Sequence, residues 1–356
     1  MSRRLLIDLL PSGQQVAWLR APRGKICAVP IDSWRQSFGG MALYPGYRAS
    51  ARLAQVTLRA WVTARAVASA HRARAPRTWP LGALLRTVLP TAVGASGVLT
   101  PRDPTRGATL LIMDRAGRPL AYVKYSESTE GIRLLRNEAS LLACVPDGLG
   151  PKVLLHTPFR SGEILAETVI RGRPCAARLA LGRPQLEFLR ALAGCSGAAE
   201  FPAPQHPLVQ HHRNADGLHR PPLERVLGAL AGSTWRLVLM HGDFTFANTR
   251  ELNGACAAFD WEWGSEAGFP HLDAAHWLIR VARGIERLPP GTAATHVVRV
   301  LSNAIEGPDR AQAAGVAALA AIHSAAAWYG PDIAAFDDGA WLLRFADACL
   351  DGVAPA

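Results

Sequence analysis

The sequence predicts an α+β fold with two lobes, a small antiparallel β-sheet followed by a mainly helical lobe, and an extension before both. Three observations support this prediction. Short β-rich runs occupy residues 81–170, a break rich in Gly, Pro and Arg follows at 171–174, and helical periodicity dominates after the break. We therefore expect an extension at 1–80, a β-rich lobe at 81–170 and a helical lobe at 171–356.

The composition is that of an ordinary soluble protein. The chain has 356 residues, of which 49% are hydrophobic and 19% charged. Its net charge of +11 is spread along the chain, without a basic tract, an aromatic–basic repeat or zinc-finger spacing, which disfavours nucleic-acid binding. Only three basic residues are lysines, Lys25, Lys124 and Lys152. Because arginine supplies the generic surface charge here, a lysine indicates a specific use of a compact ammonium.

Targeting signals are not evident. The N-terminal apolar run is interrupted by Asp8 and is too short for a signal peptide. No run approaches the roughly 18 to 20 apolar residues that a membrane span needs. The six cysteines are far apart in sequence and form no C-x-x-C pair, so neither a disulfide framework nor a zinc site is indicated. We expect a cytoplasmic protein without a membrane span.

The extension contains short apolar runs and one long helical pattern. Leu5–Leu10, Val16–Leu19 and Ile26–Ile31 are separated by Pro and Gly and predict strands or hairpins. Ala51–His71 has apolar residues at near-helical spacing with arginines between them. This pattern predicts an amphipathic helix that packs on a neighbouring domain or touches a membrane surface. The sequence assigns no role to the extension.

The β-rich lobe contains a predicted hairpin, a helix and a further strand. Thr109–Met113 and Leu120–Tyr125 predict the two strands of the hairpin, Ile132–Leu142 predicts the helix, and Ile164–Ile170 predicts the last strand. Gly94–Gly97 has the sequence GASG, which predicts a turn. The alternative is a loop that brings backbone N–H groups close to phosphates.

The helical lobe begins with predicted helices at Pro184–Ala193 and Glu224–Ala231. Between them, residues 201–222 contain five prolines and four histidines and predict a mobile surface loop. A metal site in this loop is the alternative, but no carboxylate or cysteine spacing completes a ligand set.

The segment His241–Asp273 contains the residues best suited to chemistry. Asp243 and Asn248 are separated by four residues, and this D-x-x-x-x-N spacing can place a carboxylate beside an attacking hydroxyl and an amide oxygen on Mg²⁺. We expect the Asp243 carboxylate to accept or orient the proton of that hydroxyl.

A hairpin prediction brings a second carboxylate to this loop. Asn253-Gly254 lies between two short runs and indicates a type I′ turn, because both positions of that turn need positive φ. If the residues that flank the turn pair, Asn248 lies opposite Phe259, and Asp260 falls at the base of the hairpin beside Asn248. An amide oxygen and a carboxylate at one hairpin base are the hard ligands that Mg²⁺ prefers.

These motifs carry a family resemblance. HGDFTFAN, from His241, resembles the H-G-D-x-x-x-x-N catalytic loop of the aminoglycoside phosphotransferase and choline kinase superfamily, small-molecule relatives of the protein kinases. Asp260-Trp-Glu262 and Gly268-x-Pro270-x-x-Asp273 resemble the D-W-E and G-x-P-x-x-D motifs of the same superfamily. The resemblance is tight over this segment and loose over residues 85–350. It implies a bilobal protein-kinase-like fold, and transfer of phosphate from ATP or GTP, with Mg²⁺, to a hydroxyl of a small molecule.

The resemblance also implies roles for individual residues in the motif segment. Asp243 corresponds to the catalytic carboxylate, and Asn248 and Asp260 correspond to magnesium ligands that bind the nucleotide through the metal. Asp273 is implied to stabilise the loop, and His241 to serve as a scaffold rather than a general base.

In the β-rich lobe, the resemblance implies a lysine that contacts the α- and β-phosphates and pairs with a glutamate on a helix. Lys124 is at the expected place on a strand, and Glu138 is the expected partner, with Glu127 and Glu130 as alternatives. Ala166–Ile170 would present backbone groups to the edge of the nucleotide base.

The sequence departs from the superfamily at several positions. Phe246-Ala247 stands where many relatives carry Pro-Gly, Phe269 stands where an acidic residue is common, and no glycine-rich G-x-G-x-x-G is present. Glu262 lies either next to the metal ligands or towards the substrate. A nucleotide-binding pseudoenzyme is the competing class, whereas a P-loop NTPase is disfavoured because no G-x-x-x-x-G-K-[ST] occurs.

The sequence leaves the acceptor open. A polycationic aminoglycoside would need acidic residues on the helical lobe, and the candidates are Asp332, Asp337, Asp338, Asp347 and Asp351. The alternative is that these residues form a solvated helix face. The net charge of +11 disfavours a polycation, so a sugar, nucleoside, macrolide or glycan precursor stays possible. Antibiotic resistance and sugar metabolism are both open.

Overall fold

The structure is a computed structural model with two compact units. Unit 1 comprises Met1–Ala143 and Pro151–Val169, and unit 2 comprises Cys144–Gly150 and Ile170–Ala356. Unit 1 contains an antiparallel sheet and unit 2 is mainly helical, so the predicted α+β class is confirmed. The residues that the structure describes are 3–21, 24–43, 49–69, 78–99, 107–195, 197, 199–214, 220–304, 308–329 and 337–351.

Unit 1 is built on a seven-stranded sheet with the order β1-β2-β3-β4-β5-β7-β6. Its strands are β1 (Val16–Arg20), β2 (Ile26–Pro30), β3 (Gly94–Leu99), β4 (Ala108–Met113), β5 (Pro119–Ser126), β6 (Val153–Phe159) and β7 (Gly162–Thr168). Every neighbouring pair is antiparallel. Strand β2 pairs directly with β3, with Ile26 opposite Leu99, so the first strands of the chain continue the same sheet.

The helices of unit 1 are α1 (Arg3–Leu9), α2 (Trp34–Gly40), α3 (Ala49–Ser69), α4 (Pro80–Leu85) and α5 (Thr129–Leu142). The long helical pattern of the extension is confirmed by α3, where Val62 and Ala66 are buried one turn apart. The strand predicted at Leu5–Leu10 is wrong. Leu6 and Leu9 are fully buried three residues apart, which is helical spacing, and they join the core that covers the sheet.

The prediction of a turn or phosphate-binding loop at Gly94–Gly97 is also wrong, because these residues form β3 in the interior of the sheet. A β-carbon on Gly97 would collide with the side chain of Leu6. The small residues therefore reflect close packing of α1 over a strand and give no sign of a loop.

The predicted hairpin and helix that follow are confirmed by β4, β5 and α5. Val123 and Tyr125 of β5 are buried, and Lys124 between them points to the opposite face of the sheet, as strand alternation requires. Ser128 caps α5, because its side chain accepts a hydrogen bond from Gly131 N at 3.1 Å. Glu138 is fully buried on this helix.

Unit 2 combines short strands with seven described helices. Its strands are β8 (Arg173–Pro174), β9 (Glu200–Pro202), β10 (Thr234–Arg236), β11 (Val238–Met240), β12 (Thr249–Leu252), β13 (Ala255–Ala258) and β14 (Ser265–Gly268). Its helices are α6 (Arg183–Ala193), α7 (Pro207–Asn214), α8 (Arg220–Ala229), α9 (Leu272–Gly284), α10 (Pro290–Ala304), α11 (Arg310–Tyr329) and α12 (Asp337–Asp351). Helix α11 packs against α8, α9, α10 and α12. No helix in the described ranges combines the length and apolar character that crossing a bilayer requires.

The surface loop predicted at 201–222 is wrong for the described part of that range, which contains α7 and the start of α8. Pro207 occupies the start of α7, where proline is well tolerated because its missing N–H needs no partner. His206 and His212 are buried, and the His206 ring packs 4.7 Å from the Phe269 ring. Pro207 thus serves a helix start, and His206 and His212 serve the core, whereas His211 is exposed. His219 lies outside the described residues.

Candidate active site

The loop that follows β11 is tied to the start of α9. Asp273, in the first turn of α9, accepts hydrogen bonds from His241 N at 2.7 Å and from Gly242 N at 3.0 Å. The helix N-terminus favours a negative charge at this position. Gly242 has a φ of +81°, and a β-carbon there would collide with the carbonyl oxygen of Trp263. The hydrogen bonds to Asp273 and the close contact at Gly242 therefore fix the backbone conformation of the loop.

His241 links this loop to the neighbouring hairpin. Its Nδ1 accepts a hydrogen bond from Asp243 N at 3.2 Å, which leaves Nε2 to donate to the Phe259 carbonyl oxygen at 3.1 Å. Burial lowers the pKa of His241 to about 4, so the ring is neutral at pH 7. Since both ring nitrogens bind the backbone, His241 is suited to a scaffold role and has no nitrogen left for proton transfer to a substrate.

Asp243 is held through both of its carboxylate oxygens. Oδ1 lies 3.0 Å from His276 Nε2, and Oδ2 accepts a hydrogen bond from Asn248 Nδ2 at 2.7 Å. Burial raises the pKa of Asp243. The hydrogen bond from His276 and the charge of Arg280 lower the pKa by more than burial raises it, so the net shift is downward. The group is therefore an ionised carboxylate. Its side chain remains 18% exposed, so it is fixed in place and still reachable.

The hairpin that follows has the predicted register. Thr249 lies opposite Ala258 along the β12–β13 ladder, and Phe259 N donates to the Asn248 carbonyl oxygen at 3.0 Å. The Asn253-Gly254 turn has φ values of 53° and 81°, as a type I′ turn requires. The predicted pairing of Asn248 with Phe259 is confirmed, and Asp260 follows directly at the base.

Asn248 and the carboxylates after the hairpin suit a divalent cation. Asn248 uses Nδ2 for Asp243, donating also to its carbonyl oxygen at 3.1 Å, so the amide oxygen does not take part in these contacts. Carboxylate oxygens of Asp260 and Glu262 lie within 4.8 Å of one another. Two carboxylates at this separation repel, and a bound cation would relieve the repulsion. The donor set is all oxygen and fits Mg²⁺.

Asp260 has an unusual backbone. Its φ is +74°, which is uncommon for a residue with a β-carbon and occurs preferentially at functional sites. Trp261 follows and is fully buried, with its indole N–H donating to the Ala258 carbonyl oxygen at 2.9 Å. This anchored indole holds the two flanking carboxylates, Asp260 and Glu262, at the end of β13.

Unit 1 contains a buried ion pair. Lys124 Nζ on β5 lies 2.7 Å from Glu138 Oε1 and 2.6 Å from Oε2 on α5. The Glu138 side chain is completely buried, and the Lys124 side chain is 13% exposed. The two alternative glutamates have other contacts: Glu127 accepts from the Tyr125 hydroxyl, and Glu130 pairs with Arg133. Among the three glutamates, Glu138 is thus the one that contacts Lys124.

Sequence reasoning missed His276 and Ser324. His276 is buried on α9, and its Nδ1 lies 2.9 Å from the hydroxyl of Ser324 on α11. A signal for His276 was available, because it follows Asp273 by three residues and therefore shares its helix face. Ser324 had no comparable local signal, since 48 residues separate it from His276.

The acidic residues proposed for a polycation lie on α12, except Asp332, which is outside the described residues. The described ones are exposed, and three of them contact arginines. Asp338 pairs with Arg283 at 2.8 Å, and Arg225 contacts both Asp347 and Asp351. Much of the negative charge on this helix is therefore already compensated.

No family model matches the sequence, and a search of curated proteins gives no match. Among solved structures, the chain is similar to the aminoglycoside phosphotransferase APH(3'')-Id of Streptomyces rimosus in complex with ADP and streptomycin, with 16% identity, 60% of this chain and 90% of that chain covered, and a TM-score of 0.39. Another structure of that enzyme gives 16% identity, 69% and 98% coverage, and a TM-score of 0.37. At this level of similarity, evidence for function comes from the side chains described above.

Proposed function

We propose that this protein is a Mg²⁺-dependent phosphotransferase that moves the γ-phosphoryl group of ATP or GTP to a hydroxyl group of a small molecule. The observation that carries the proposal is the ionised Asp243 carboxylate, whose Oδ2 is bound by Asn248 at the base of a hairpin that leads to Asp260. A carboxylate, an amide and a second carboxylate in this order are the groups that in-line phosphoryl transfer needs around the attacking hydroxyl.

Each residue has a defined part in the proposed reaction. Asp243 orients the acceptor hydroxyl and accepts its proton as the new P–O bond forms. The bond from the γ-phosphorus to the β–γ bridging oxygen breaks in the same transfer, and the nucleoside diphosphate leaves. Lys124, held by Glu138, is the cation for the nucleotide phosphates. Asn248 and Asp260 would hold the metal ion, with Glu262 beside them. The bound Mg²⁺ would supply positive charge that offsets the negative charge of the transferred phosphoryl group.

The charge on α12 favours an acceptor other than a polycation. Three of its four described acidic residues contact arginines, so they do not form an open anionic surface. An aminoglycoside is therefore the less favoured acceptor, and the favoured one is a neutral or anionic hydroxyl compound, such as a sugar, a nucleoside or a glycan precursor. Antibiotic resistance would follow from the first acceptor class and metabolism from the second.

The test is a panel of hydroxyl compounds assayed with ATP and with GTP in the presence of Mg²⁺. The panel contains aminoglycosides, neutral sugars, nucleosides and macrolides, and nucleoside diphosphate release is measured against a control without acceptor. Acceptor-dependent release supports the proposal and identifies the acceptor class. Binding of nucleotide without release for any acceptor would favour the pseudoenzyme.

The matched variant is Asp243→Asn, which keeps the size of the side chain and removes its charge. We expect its turnover to fall by about 10³-fold or more while nucleotide affinity changes little, because the carboxylate acts on the acceptor. Asp337→Asn, an exposed residue on α12, makes the same chemical change away from the loop. Normal turnover by Asp243→Asn would contradict the assigned role.

A further inference from the structure

The Asp243 carboxylate has a second partner that the proposed reaction does not use. Asn248 binds Oδ2 and belongs to the proposed metal site, whereas His276 lies 3.0 Å from Oδ1 and has no part in phosphoryl transfer as described above. His276 is 3% exposed, so its ring is buried. A buried imidazole aimed at the reactive carboxylate needs an explanation.

Helix α9 explains how the ring reaches this carboxylate. Asp273 and His276 are three residues apart and therefore lie on one face of the helix, one turn apart. Asp273 binds the backbone N–H groups of His241 and Gly242, and His276 binds the side chain of Asp243, the next residue. One helix face thus fixes three consecutive residues of the loop, two through the backbone and one through its functional group.

The hydrogen-bond network assigns the proton on the His276 ring. A carboxylate only accepts, so Nε2 must carry the hydrogen that binds Asp243 Oδ1. Burial lowers the pKa of His276, which makes the ring neutral at pH 7 and leaves Nδ1 as an acceptor. The Ser324 hydroxyl has a single hydrogen and two acceptors within reach, the Ala320 carbonyl oxygen at 2.8 Å and Nδ1 at 2.9 Å. Its contact with the Nδ1 acceptor of a neutral ring requires that this hydrogen is shared with the nitrogen.

The chain Ser324–His276–Asp243 has a defined direction. The hydroxyl donates to Nδ1, and Nε2–H donates to the carboxylate, so each group fixes the orientation of the next. Ser324 is 3% exposed and belongs to a different helix, α11. The ring is therefore held from both sides, and it cannot rotate about its own axis without losing both hydrogen bonds.

We propose that His276 is a positioning residue for phosphoryl transfer, which holds the Asp243 carboxylate in the orientation that receives the acceptor proton, and that Ser324 holds the His276 ring. This inference rests on the proposed function, because it concerns the same carboxylate. It adds a residue on α9 and one on α11 to the groups on which turnover depends, neither of which touches the substrate.

Three variants test it, with the acceptor found by the panel. His276→Leu removes both hydrogen bonds and keeps an apolar side chain in the buried site. His276→Gln can return an N–H near the Nε2 position, and Ser324→Ala removes only the outer hydrogen bond. We expect His276→Leu to lower kcat about 100-fold, as for a misplaced reacting group, with the nucleotide KM within about twofold of wild type. His276→Gln should recover at least about 10-fold of the loss, and Ser324→Ala should lie between wild type and His276→Leu.

These outcomes separate the inference from the proposed function. If wild type transfers phosphate and Asp243→Asn does not, the proposed function stands; wild-type kcat in a folded His276→Leu variant would then overturn the positioning role alone. A nucleotide KM that rises together with the fall in kcat, without rescue by His276→Gln, would also overturn it. No diphosphate release from wild type would contradict the proposed function, and the positioning role of His276 with it.

A spectroscopic measurement keeps the inference testable if His276→Leu does not fold. In wild-type protein labelled with ¹⁵N-histidine, the His276 ring should be the Nε2–H tautomer, identified by the signals that His276→Gln loses. Its N–H proton should move upfield in Asp243→Asn, where a neutral amide replaces the carboxylate. An Nδ1–H tautomer, or an N–H signal that ignores Asp243→Asn, would overturn the proposed chain.

Discussion

The two units hold their buried charges in different ways. In unit 1, buried carboxylates face cations: Glu138 contacts Lys124, and Glu163 contacts Arg136. In unit 2, Asp273 is bound by backbone N–H groups, and Asp243 by an amide and an imidazole. Opposite charges need only two well-placed side chains, whereas neutral donors must be assembled from several segments of the chain. Unit 1 therefore stabilises these carboxylates with charged side chains, and unit 2 does so with a network of neutral donors.

The largest expected difference between the two units is the effect of acid on their stability. Burial lowers the pKa of His241 to about 4, and the pKa values of His206 and His276 are lowered with burial as the largest cause. Between pH 6.5 and about 4 the unfolded chain binds a proton at His241 and the folded chain does not, and the lowered pKa values of His206 and His276 act in the same direction. This stability is present above pH 6.5 and is lost as pH falls. Each ring contributes up to about 1.4 kcal/mol per pH unit.

One carboxylate works in the opposite direction. Burial raises the pKa of Asp273 to about 7, so the folded state binds a proton there before the unfolded state does, and this offsets one histidine. In unit 1, hydrogen bonds from Arg136 lower the pKa of Glu163, so its contribution is lost only below the ordinary value of 4.5. Urea unfolding from pH 7.5 to 4.5 should show a free energy of unfolding that already falls below pH 6.5.

His206→Gln provides the control for the acid effect. His206 packs against the rings of Phe201 and Phe269, and the variant removes one ionisable ring from the core. The slope of unfolding free energy against pH below pH 6.5 should decrease, by at most one proton or roughly 1.4 kcal/mol per pH unit. An unchanged slope would show that the buried histidines do not cause the acid sensitivity.

The next largest effect is expected at the ion pair of unit 1. Lys124→Met leaves the fully buried Glu138 without this ammonium and should lower the free energy of unfolding by about 3 kcal/mol. The double variant Lys124→Met, Glu138→Leu should recover most of that loss, because an apolar pair of similar volume needs no desolvation. Urea unfolding of wild type, Lys124→Met, Glu138→Leu and the double variant completes a double-mutant cycle.

The nucleotide provides a second measurement on the same variants. Both should bind ATP more weakly than wild type, since the proposed phosphate ligand is absent even where stability returns. Lys152→Met, an exposed lysine of the same unit, is the matched control. Equal affinity for the double variant and wild type would contradict a phosphate-binding role for Lys124.

The smallest of the three effects is expected at the hairpin turn of unit 2. Gly254 has a φ of +81°, and Gly254→Ala should cost about 1 to 2 kcal/mol because a β-carbon is disfavoured in left-handed backbone. No heavy atom lies within 4 Å of the added carbon, so the cost is conformational rather than steric. Thermal unfolding measures it, with Gly197→Ala as a control at a glycine whose φ lies outside this range.

Local signals explain what the sequence could predict. The register from Asn248 to Phe259 follows from one Asn-Gly turn, and the contact between Lys124 and Glu138 joins two adjacent elements. Wrong predictions came from residues whose contacts are made by side chains far away in the sequence. Gly97 looks like part of a turn because Leu6, which packs on it, is far away along the chain.

The same limit explains the missed part of the site. His276 could have been found from its spacing to Asp273, but its use depends on the position of the Asp243 side chain, 33 residues earlier. Ser324 depends on how α11 packs against α9. Neither contact can be obtained from periodicity or turn chemistry, since both arise only when separate helices pack.

The Asn-Gly hairpin also separates a part of the chain that must keep its length from a part that can change it. Its base is fixed by the hydrogen bond from Phe259 N to the Asn248 carbonyl oxygen, whereas Leu252 near the tip is 49% exposed. Lengthening both strands equally at the tip would add ladder pairs outside the base and leave the spacing of Asn248 and Asp260 unchanged. The tip is thus a suitable place to insert a reporter peptide. The interior of a strand is unsuitable, because inserting an odd number of residues there would turn every following side chain to the opposite face.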